Sequence, residues 1–360
     1  MSVLDDVQAA VAVHGLSLRR AWPRDPGHLL IDLVPADPGP PVAGQWFTDH
    51  DRAREVAVAT GAPGRAHGGL VLQPEGADRR LPGLAPLLRS PAASLVAHRP
   101  ERRAVVRRAD GSYTKVVRPG RTGPVAAAGR AAGRTGLRVP AILEIDDAAG
   151  YVTTGPLAGR TLHDLLVEGS WACVPAAREA GRALARLHAS PLPPDAKAHD
   201  ARAELSVLLR WWGDALCCDV LPRGARLPEL DALGEKTPCG LVPVHRDLHD
   251  KQLVVDGHGE VGFLDFDLAA AGEPALDLAN LLVHLELRAY QGAAPADLAS
   301  RCAQAVLDGY DPPTSVLARL DVHAQATRLR LIAVCAFRPD ERVDAGFATH
   351  PSRLIRTPGG

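Results

Sequence analysis

A chain of 360 residues, 46% hydrophobic and 23% charged, has the proportions of a globular protein with packed cores, which excludes wholesale disorder. Its 41 Lys and Arg nearly cancel its 42 Asp and Glu, leaving no broad basic footprint for nucleic acid. No window reaches the roughly eighteen apolar residues of a membrane span, and MSVLDDVQAAVAVHGL has no basic segment before a long apolar one, so a cytoplasmic protein without a membrane anchor is expected.

Residues 1–90 read as a small, mostly β cap after one short helix at 4–14. Short apolar runs at 28–34, 42–47, 55–59 and 70–72 alternate there with Pro/Gly turns such as ADPGPP and GAPG. From Ser94 the string SLVAHRPERRAVVRRADGSYTKVVRPG predicts three strands joined by HRPER and by the tight-turn signal ADGS. A helix follows at 124–135, PVAAAGRAAGRT, with no acidic residue; Glu144 in AILEIDD, the next acidic candidate, falls on a following strand.

YVTTGPLAGRTL at 151–162 reads as an apolar strand leaving into a turn at Gly159. Ala177, Ala180, Leu184 and Leu187 lie at helical spacing within 176–189, and further helices are expected at 201–216, 276–289, 295–307 and 315–337. Trp211–Trp212 and Cys217–Cys218 suit core packing, and the six cysteines (173, 217, 218, 239, 302 and 335) show neither metal nor disulfide spacing. Residues 190–360 hold 24 acidic and 17 basic residues against 18 and 24 before them, a division that would favour a cationic ligand on the carboxyl-terminal side.

The chemistry concentrates in VHRDLHDKQLVVDGHGEVGFLDFDLAAAGEPALD. Apolar runs at 241–244, 253–255 and 261–264 surround HRDLHDKQ and the Gly257-His258-Gly259 turn, predicting strand, loop, hairpin and an acidic strand end. This order places Asp247, Gln252 and Asp265 at intervals suited to phosphoryl transfer, which needs an aspartate to orient the attacking hydroxyl and oxygen ligands for the metal ions. His245 and His249 stand four apart, but flanking strands and the lack of an intervening glutamate argue against zinc; His245 is expected to hold the loop by hydrogen bonding.

In this order HRDLHDKQ and LDFDLAAAGEPALDLA resemble the aminoglycoside phosphotransferase and choline kinase branch of the protein-kinase-like fold, whose usual strings are close to HGDLHxxN and IDWxxAxxGxPxxDLA. The resemblance implies an α+β, bilobal fold. A β-rich amino-terminal lobe at 91–155 and a mostly helical carboxyl-terminal lobe at 156–340 would follow the extra cap at 1–90, with a loose tail at 341–360. It further implies ATP and Mg²⁺ as cofactors and transfer of the γ-phosphoryl group to a hydroxyl of an aminoglycoside, another antibiotic or a sugar.

By the same resemblance Asp247 is the catalytic aspartate, Gln252 and Asp265 are metal ligands, and Lys115 meets the ATP phosphates. The backbone of Thr153, Thr154 and Gly155 would meet adenine. Asp267 is a further candidate at the metal, and Asp277 a brace for the loop. Only residues 268–274 separate LDFD from ALDLA, too short for an activation loop, which argues against a protein kinase.

Two features depart from the pattern. HRPER has no glycine for backbone contacts to phosphate, leaving Arg99, Arg102 and Arg103 as candidate donors, and Lys115 has no glutamate partner on the helix after it. A catalytically weak, regulatory pseudokinase is therefore the alternative. Maltokinase-like members of the wider family also carry Gln at the position of Gln252 and an amino-terminal cap.

Overall fold

The computed structural model describes residues 2–228, 230, 233, 240–341 and 343–349. Cys239 and the tail from residue 350 onward lie outside the described residues.

The cap begins with helix α1 (Val3–Ala12), whose Leu4, Val7 and Val11 turn inward at a spacing that puts them on one face. Strands β1 (Leu16–Asp25), β2 (His28–Pro35), β3 (Val42–Phe47), β4 (Arg65–His67) and β5 (Leu70–Gln73) form a sheet of order β1-β2-β3-β5-β4. The run at 55–59, read as a strand-like segment of the β cap, instead lies within helix α2 (His50–Thr60). Asp49 caps that helix by accepting from the backbone of Asp51 and Arg52, and Ala53, Val56 and Ala57 recur at i, i+3 and i+4; the local alternation of EVAVA masked that longer period.

After helix α3 (Leu84–Leu88) comes a second sheet of order β6-β7-β8-β10-β9. Its strands are β6 (Ser94–Arg99), β7 (Arg103–Arg107), β8 (Tyr113–Val117), β9 (Ile142–Asp146) and β10 (Tyr151–Thr154), with helix α4 (Thr122–Arg134) between β8 and β9. Leu81, Leu84, Ala104, Val106 and Val116 make its small core.

The remainder is mainly helical: α5 (Leu162–Val167), α6 (Cys173–His188), α7 (Ala201–Cys217), α8 (Pro274–Tyr290), α9 (Ala296–Tyr310) and α10 (Thr314–Cys335), with short strands β11 (Arg160–Thr161), β12 (Ala198–His199), β13 (Val242–Val244), β14 (Leu253–Val255), β15 (Val261–Phe263) and β16 (Ala270–Gly272) among them. The expected face of α6 is buried at Ala177, Ala180, Leu184 and Leu187, and Trp211 of α7 packs 6.1 Å from the Phe337 ring. The α+β, bilobal, protein-kinase-like architecture with an added cap therefore holds. No helix among the described residues is long and apolar enough to cross a membrane.

The cap is more than an appendage of the neighbouring sheet. Leu4, Val7, Leu18 and Ile31 belong to the same continuous core as the carboxyl-terminal helices, and Ala21 N donates to the Phe337 carbonyl at 2.8 Å. The end of the chain read as loose is also partly packed: Ala345–Thr349 forms a 3₁₀ turn whose Phe347 is fully buried, 5.0 Å from the Tyr290 ring. One phenylalanine in a polar stretch shows no periodicity, so nothing local announced that contact.

Candidate active site

Strand β13 (Val242–Val244) delivers the HRD string into a loop that buried side chains hold from below. Asp277, fully buried in the first turn of α8, accepts from the backbone N–H groups of His245 and Arg246, each at 2.7 Å, and lies 3.2 Å from His188 Nε2. Burial opposes its charge, but His188, its hydrogen bonds and His245 prevail and hold its carboxyl below the ordinary value. The brace lets Arg246 keep φ = 70°, a left-handed conformation that a non-glycine residue adopts only when its surroundings impose it.

His245 links the loop to the acidic strand end. Its Nδ1 accepts from Asp247 N at 3.3 Å and its Nε2 lies 2.7 Å from the Leu264 carbonyl. Below, Asp250 is wholly buried, 2.5 Å from His163 Nδ1, and accepts from Arg288 Nε at 2.8 Å. It starts the 3₁₀ turn Asp250–Gln252, and the Gln252 carbonyl accepts from Leu264 N at 2.9 Å, which sets Gln252 beside Asp265 through the hairpin of β14 (Leu253–Val255) and β15 (Val261–Phe263). Asp250 is a brace that the sequence reading passed over, because its partners lie 87 and 38 residues away. His249 stacks on His284 at 4.9 Å.

Lys115 finds its acidic partners at the strand end instead of on α4. Its Nζ donates to Asp265 Oδ1 and to Asp267 Oδ1, both at 2.8 Å. Glu144, exposed on β9, pairs with Arg108 and Tyr151, each at 3.0 Å, and so is no partner of Lys115. Arg103 adds a second cation 3.3 Å from Asp267 and 3.7 Å from Asp265. Burial opposes ionisation of Asp265, yet Lys115 and Arg103 outweigh it and hold the carboxyl at about 2. Asp265 also sits at φ = 57°, which turns its side chain out of the strand toward the cleft-lining groups.

The glycine-free turn at residues 100–102 is fixed by the cap. Asp78, buried, accepts from Glu101 N at 2.7 Å, lies 2.9 Å from His98 Nε2, and takes Arg80 N and Leu81 N on its other oxygen at 2.8 and 3.2 Å. Glu101, at φ = 58°, buries its carboxylate against Arg79 Nε at 2.6 Å and Arg80 at 3.2 Å. Thus Arg99, Arg102 and Arg103 line one wall of a cleft whose other wall holds Asp247, Asp265 and Asp267. Asp78→Ala would strand several buried donors. It is expected to lower the unfolding free energy by about 2–4 kcal/mol in urea titration.

Thr153 and Thr154 pair with β8 on one edge and β9 on the other, Thr153 Oγ1 is 2.9 Å from Thr114 Oγ1, and Gly155 N donates to the Ala141 carbonyl at 2.8 Å. β10 leaves the sheet at Gly155, just past an irregularity in its pairing with β9 between Thr153 and Thr154.

Further carboxylates set the acid limit of the fold. Glu204, against His199 at 2.9 Å and Arg330 at 3.3 Å, and Glu273, against Arg319 at 2.9 Å and His323 at 3.0 Å, are both held at about 2 from an ordinary 4.5 despite burial. A carboxyl with a depressed folded pKa stabilises fully above its unfolded value and loses that contribution as pH falls through the folded one. With Asp265 included, cooperative unfolding is expected as pH drops from 4.5 toward 2, followed by tryptophan fluorescence.

The donor set suits a hard cation. Asp265 and Asp267 offer carboxylate oxygens to the cleft, whereas no cluster of three or more His, Cys, Asp or Glu able to enclose a metal occurs among the described residues. Few protein oxygens, with phosphate completing the shell, is the usual arrangement for Mg²⁺ beside a nucleotide.

Comparison with known proteins agrees with this arrangement. A thiamine kinase of Salmonella typhimurium is 31% identical over 141 residues, 38% of this chain and 46% of that protein, so the chain spans about half the length of the curated relatives it matches. Among solved structures, a choline/ethanolamine kinase family protein from Mesorhizobium loti is 18% identical, with 76% of this chain and 92% of that one covered at a TM-score of 0.48. An aminoglycoside phosphotransferase from Streptomyces rimosus is 19% identical, with 67% and 96% covered at a TM-score of 0.47. The model of the phosphotransferase enzyme family matches residues 88–317, from the start of the second sheet into α10 and across the whole cleft. Covering more than half of the chain, that match establishes that this protein belongs to the phosphotransferase enzyme family.

Proposed function

We propose that this protein transfers the γ-phosphoryl group of ATP to a hydroxyl of a small molecule, an aminoglycoside, another antibiotic or a sugar, acting in the cytoplasm where ATP is supplied. The observation that carries the reading is the meeting of Lys115 with Asp265 and Asp267 in the cleft that Asp247 also lines. These groups come from strand β8, a loop and a strand end far apart in the chain, and gathering three half-buried carboxylates in one cleft makes sense where cationic and phosphate ligands use them.

In the mechanism Asp247 receives the proton of the acceptor hydroxyl as its oxygen bonds to the γ-phosphorus. The bond from that phosphorus to the bridging oxygen breaks and ADP departs with the electron pair. Lys115 and Arg103 offset charge on the phosphates. Asp265, Gln252 and Asp267 would hold Mg²⁺, which when bound neutralises the phosphate oxygens. The backbone of Thr153, Thr154 and Gly155 would meet adenine. The pseudokinase alternative drew on the lack of a glutamate for Lys115 and of glycine in HRPER; Lys115 meets two carboxylates instead, and Arg99, Arg102 and Arg103 line the cleft beside the glycine-free turn.

The test is ATP consumption with Mg²⁺ across a panel of antibiotics and sugars, with phosphorylated product identified by mass. Failure of every acceptor to raise turnover above the water reaction would overturn the reading. Lys115→Met is expected to raise the KM for ATP at least ten-fold, on the order of 1.4 kcal/mol of lost phosphate contact. Steady-state kinetics in ATP checks this.

A further inference from the structure

A second side chain of α8 also reaches the catalytic loop. Asn280, one turn beyond Asp277 and fully buried, donates from Nδ2 to the Leu248 carbonyl at 3.0 Å, and its Oδ1 accepts from Arg330 Nη2 of α10 at 2.7 Å. These partners force the orientation of the amide, because a guanidinium can only donate and a carbonyl can only accept. Arg330 Nε in turn lies 3.3 Å from Glu204 Oε1 of α7, and Glu204 Oε2 lies 2.9 Å from His199 Nε2 on β12. The Asn280 carbonyl stands 2.7 Å from His284 Nδ1, and the His284 ring stacks on that of His249 in the loop.

Residues three apart on a helix share a face, so Asp277 and Asn280 offer the loop an acceptor and a donor side by side. Asp277 takes the N–H groups of His245 and Arg246, and Asn280 takes the carbonyl of Leu248. Asp247 is the residue between these two attachments. Its own backbone N–H donates to His245 Nδ1, and its side chain is left to line the cleft. With Asp277 alone, the chain would be fixed before Asp247 and free to turn after it. The bond from Asn280 removes that freedom, and orientation of a reacting group is worth much of a catalytic rate.

The far end of the network reaches the sheet on which the loop is hung. His199 pairs with Gly272 of β16, and β16 pairs on its other edge with β13, Val242 opposite Gly272 and Val244 opposite Ala270. Strand β13 feeds the loop and β16 follows the LDFD segment, so the path from Asn280 through Arg330 and Glu204 to His199 ties the Leu248 carbonyl to the strands that flank both. The position needs a donor and an acceptor on one short stem, which asparagine supplies; aspartate lacks the donor and leucine lacks both. The string that carries the family resemblance ends one residue earlier, at Ala279.

We propose that Asn280 is a positioning residue for phosphoryl transfer: by fixing the Leu248 carbonyl it aims the Asp247 carboxylate at the acceptor hydroxyl, while Arg330 holds its amide in the orientation that donates. This rests on the phosphotransfer reading and extends it to a residue outside the cleft. Asn280→Asp is the informative change. It keeps the shape and the contact with Arg330, which becomes an ion pair, and replaces only the donor to Leu248 by an oxygen that repels the carbonyl. Asn280→Leu, which removes both bonds, measures what a packing loss alone looks like.

The full chain is assayed for ATP turnover with Mg²⁺, using water and the fastest acceptor of the panel. Binding of AMP-PNP with Mg²⁺ is followed by calorimetry, unfolding by tryptophan fluorescence, and backbone opening by deuterium uptake. Asn280→Asp is expected to lower kcat at least about ten-fold while the KM for ATP and the AMP-PNP affinity stay within about two-fold. Its unfolding midpoint should stay within ~2 °C, unlike that of Asn280→Leu, and deuterium uptake should quicken in residues 245–252 but not in α6. In an Asp247→Asn background the same change should move residual turnover less than about two-fold, because the group that Asn280 aims is gone. An unchanged kcat, unchanged uptake in 245–252, an equal proportional loss in both backgrounds, or a loss matched by weaker AMP-PNP binding would overturn the proposal and leave Asn280 to packing. A wild-type chain that binds no AMP-PNP, or binds it and turns over with neither water nor any acceptor, would instead overturn the phosphotransfer reading and the proposal with it.

Discussion

Asp247→Ala should lower ATP-dependent phosphorylation by on the order of 10²–10⁴-fold, the usual contribution of a positioned general base. The KM for ATP should change less than about three-fold, because Asp247 takes no part in the Lys115 and Arg103 ion pairs that serve the phosphates. Stability should also change little: the Asp247 backbone N–H that donates to His245 Nδ1 is kept in alanine, and the loop itself hangs on Asp277. A fall in kcat alone therefore distinguishes loss of the base from collapse of the loop. Asp247→Asn, which keeps the shape but accepts a proton poorly, should lose nearly as much. Turnover that survives both changes at wild-type kcat would remove Asp247 from the mechanism.

What the sequence made legible was mostly what lies close together along the chain. Asp247, Gln252 and Asp265 belong to one loop and hairpin, so their spacing translates into proximity, and the carbonyl of Gln252 meets Leu264 N because β14 and β15 pair in register. The bracing role of Asp277 was legible for a similar reason, since it follows within the same thirty-residue pattern. The partner of Lys115 was not: the glutamate expected on the following helix is missing, and the carboxylates that replace it stand 150 and 152 residues away. Nothing periodic in a sequence encodes a salt bridge across a cleft.

The cap shows the same limit. Its strands could be expected from Pro/Gly-bounded apolar runs, but its purpose at the cleft depends on Asp78 and the buried Gln45, neither of which carries a motif. Gln45 Nε2 reaches Gln73 Oε1 at 3.0 Å and Glu101 Oε1 at 3.4 Å, and its Oε1 lies 2.9 Å from His28 Nε2. A polar chain of this kind is stable only when every member is satisfied, which ties the shape of the arginine turn to the cap sheet. Glycine loops approach phosphate by having no side chain; here the turn is held still from behind and lines the cleft with guanidinium groups.

Asp265→Asn should reduce turnover by roughly 10³-fold at ordinary Mg²⁺, because it removes both a charge proposed to hold the metal and one of the two counter-ions of Lys115. Asparagine keeps the volume and tolerates the left-handed φ of 57° nearly as well as aspartate, so the strand end should retain its path. Lys115 and Arg103 would still have Asp267, at 2.8 and 3.3 Å, which limits the loss of stability to about 1–2 kcal/mol. The effect should therefore appear in catalysis and in Mg²⁺ dependence: the Mg²⁺ concentration for half-maximal rate should rise at least ten-fold. Asp267→Asn provides the comparison, with a smaller loss expected, on the order of ten-fold, since Asp265 stands nearer the loop, next to the Leu264 carbonyl that His245 meets. If the two variants respond to Mg²⁺ alike, both carboxylates hold the metal, and Lys115 is shared between them through the whole cycle; if only Asp267→Asn responds, the ligand assigned to Asp265 belongs two residues on.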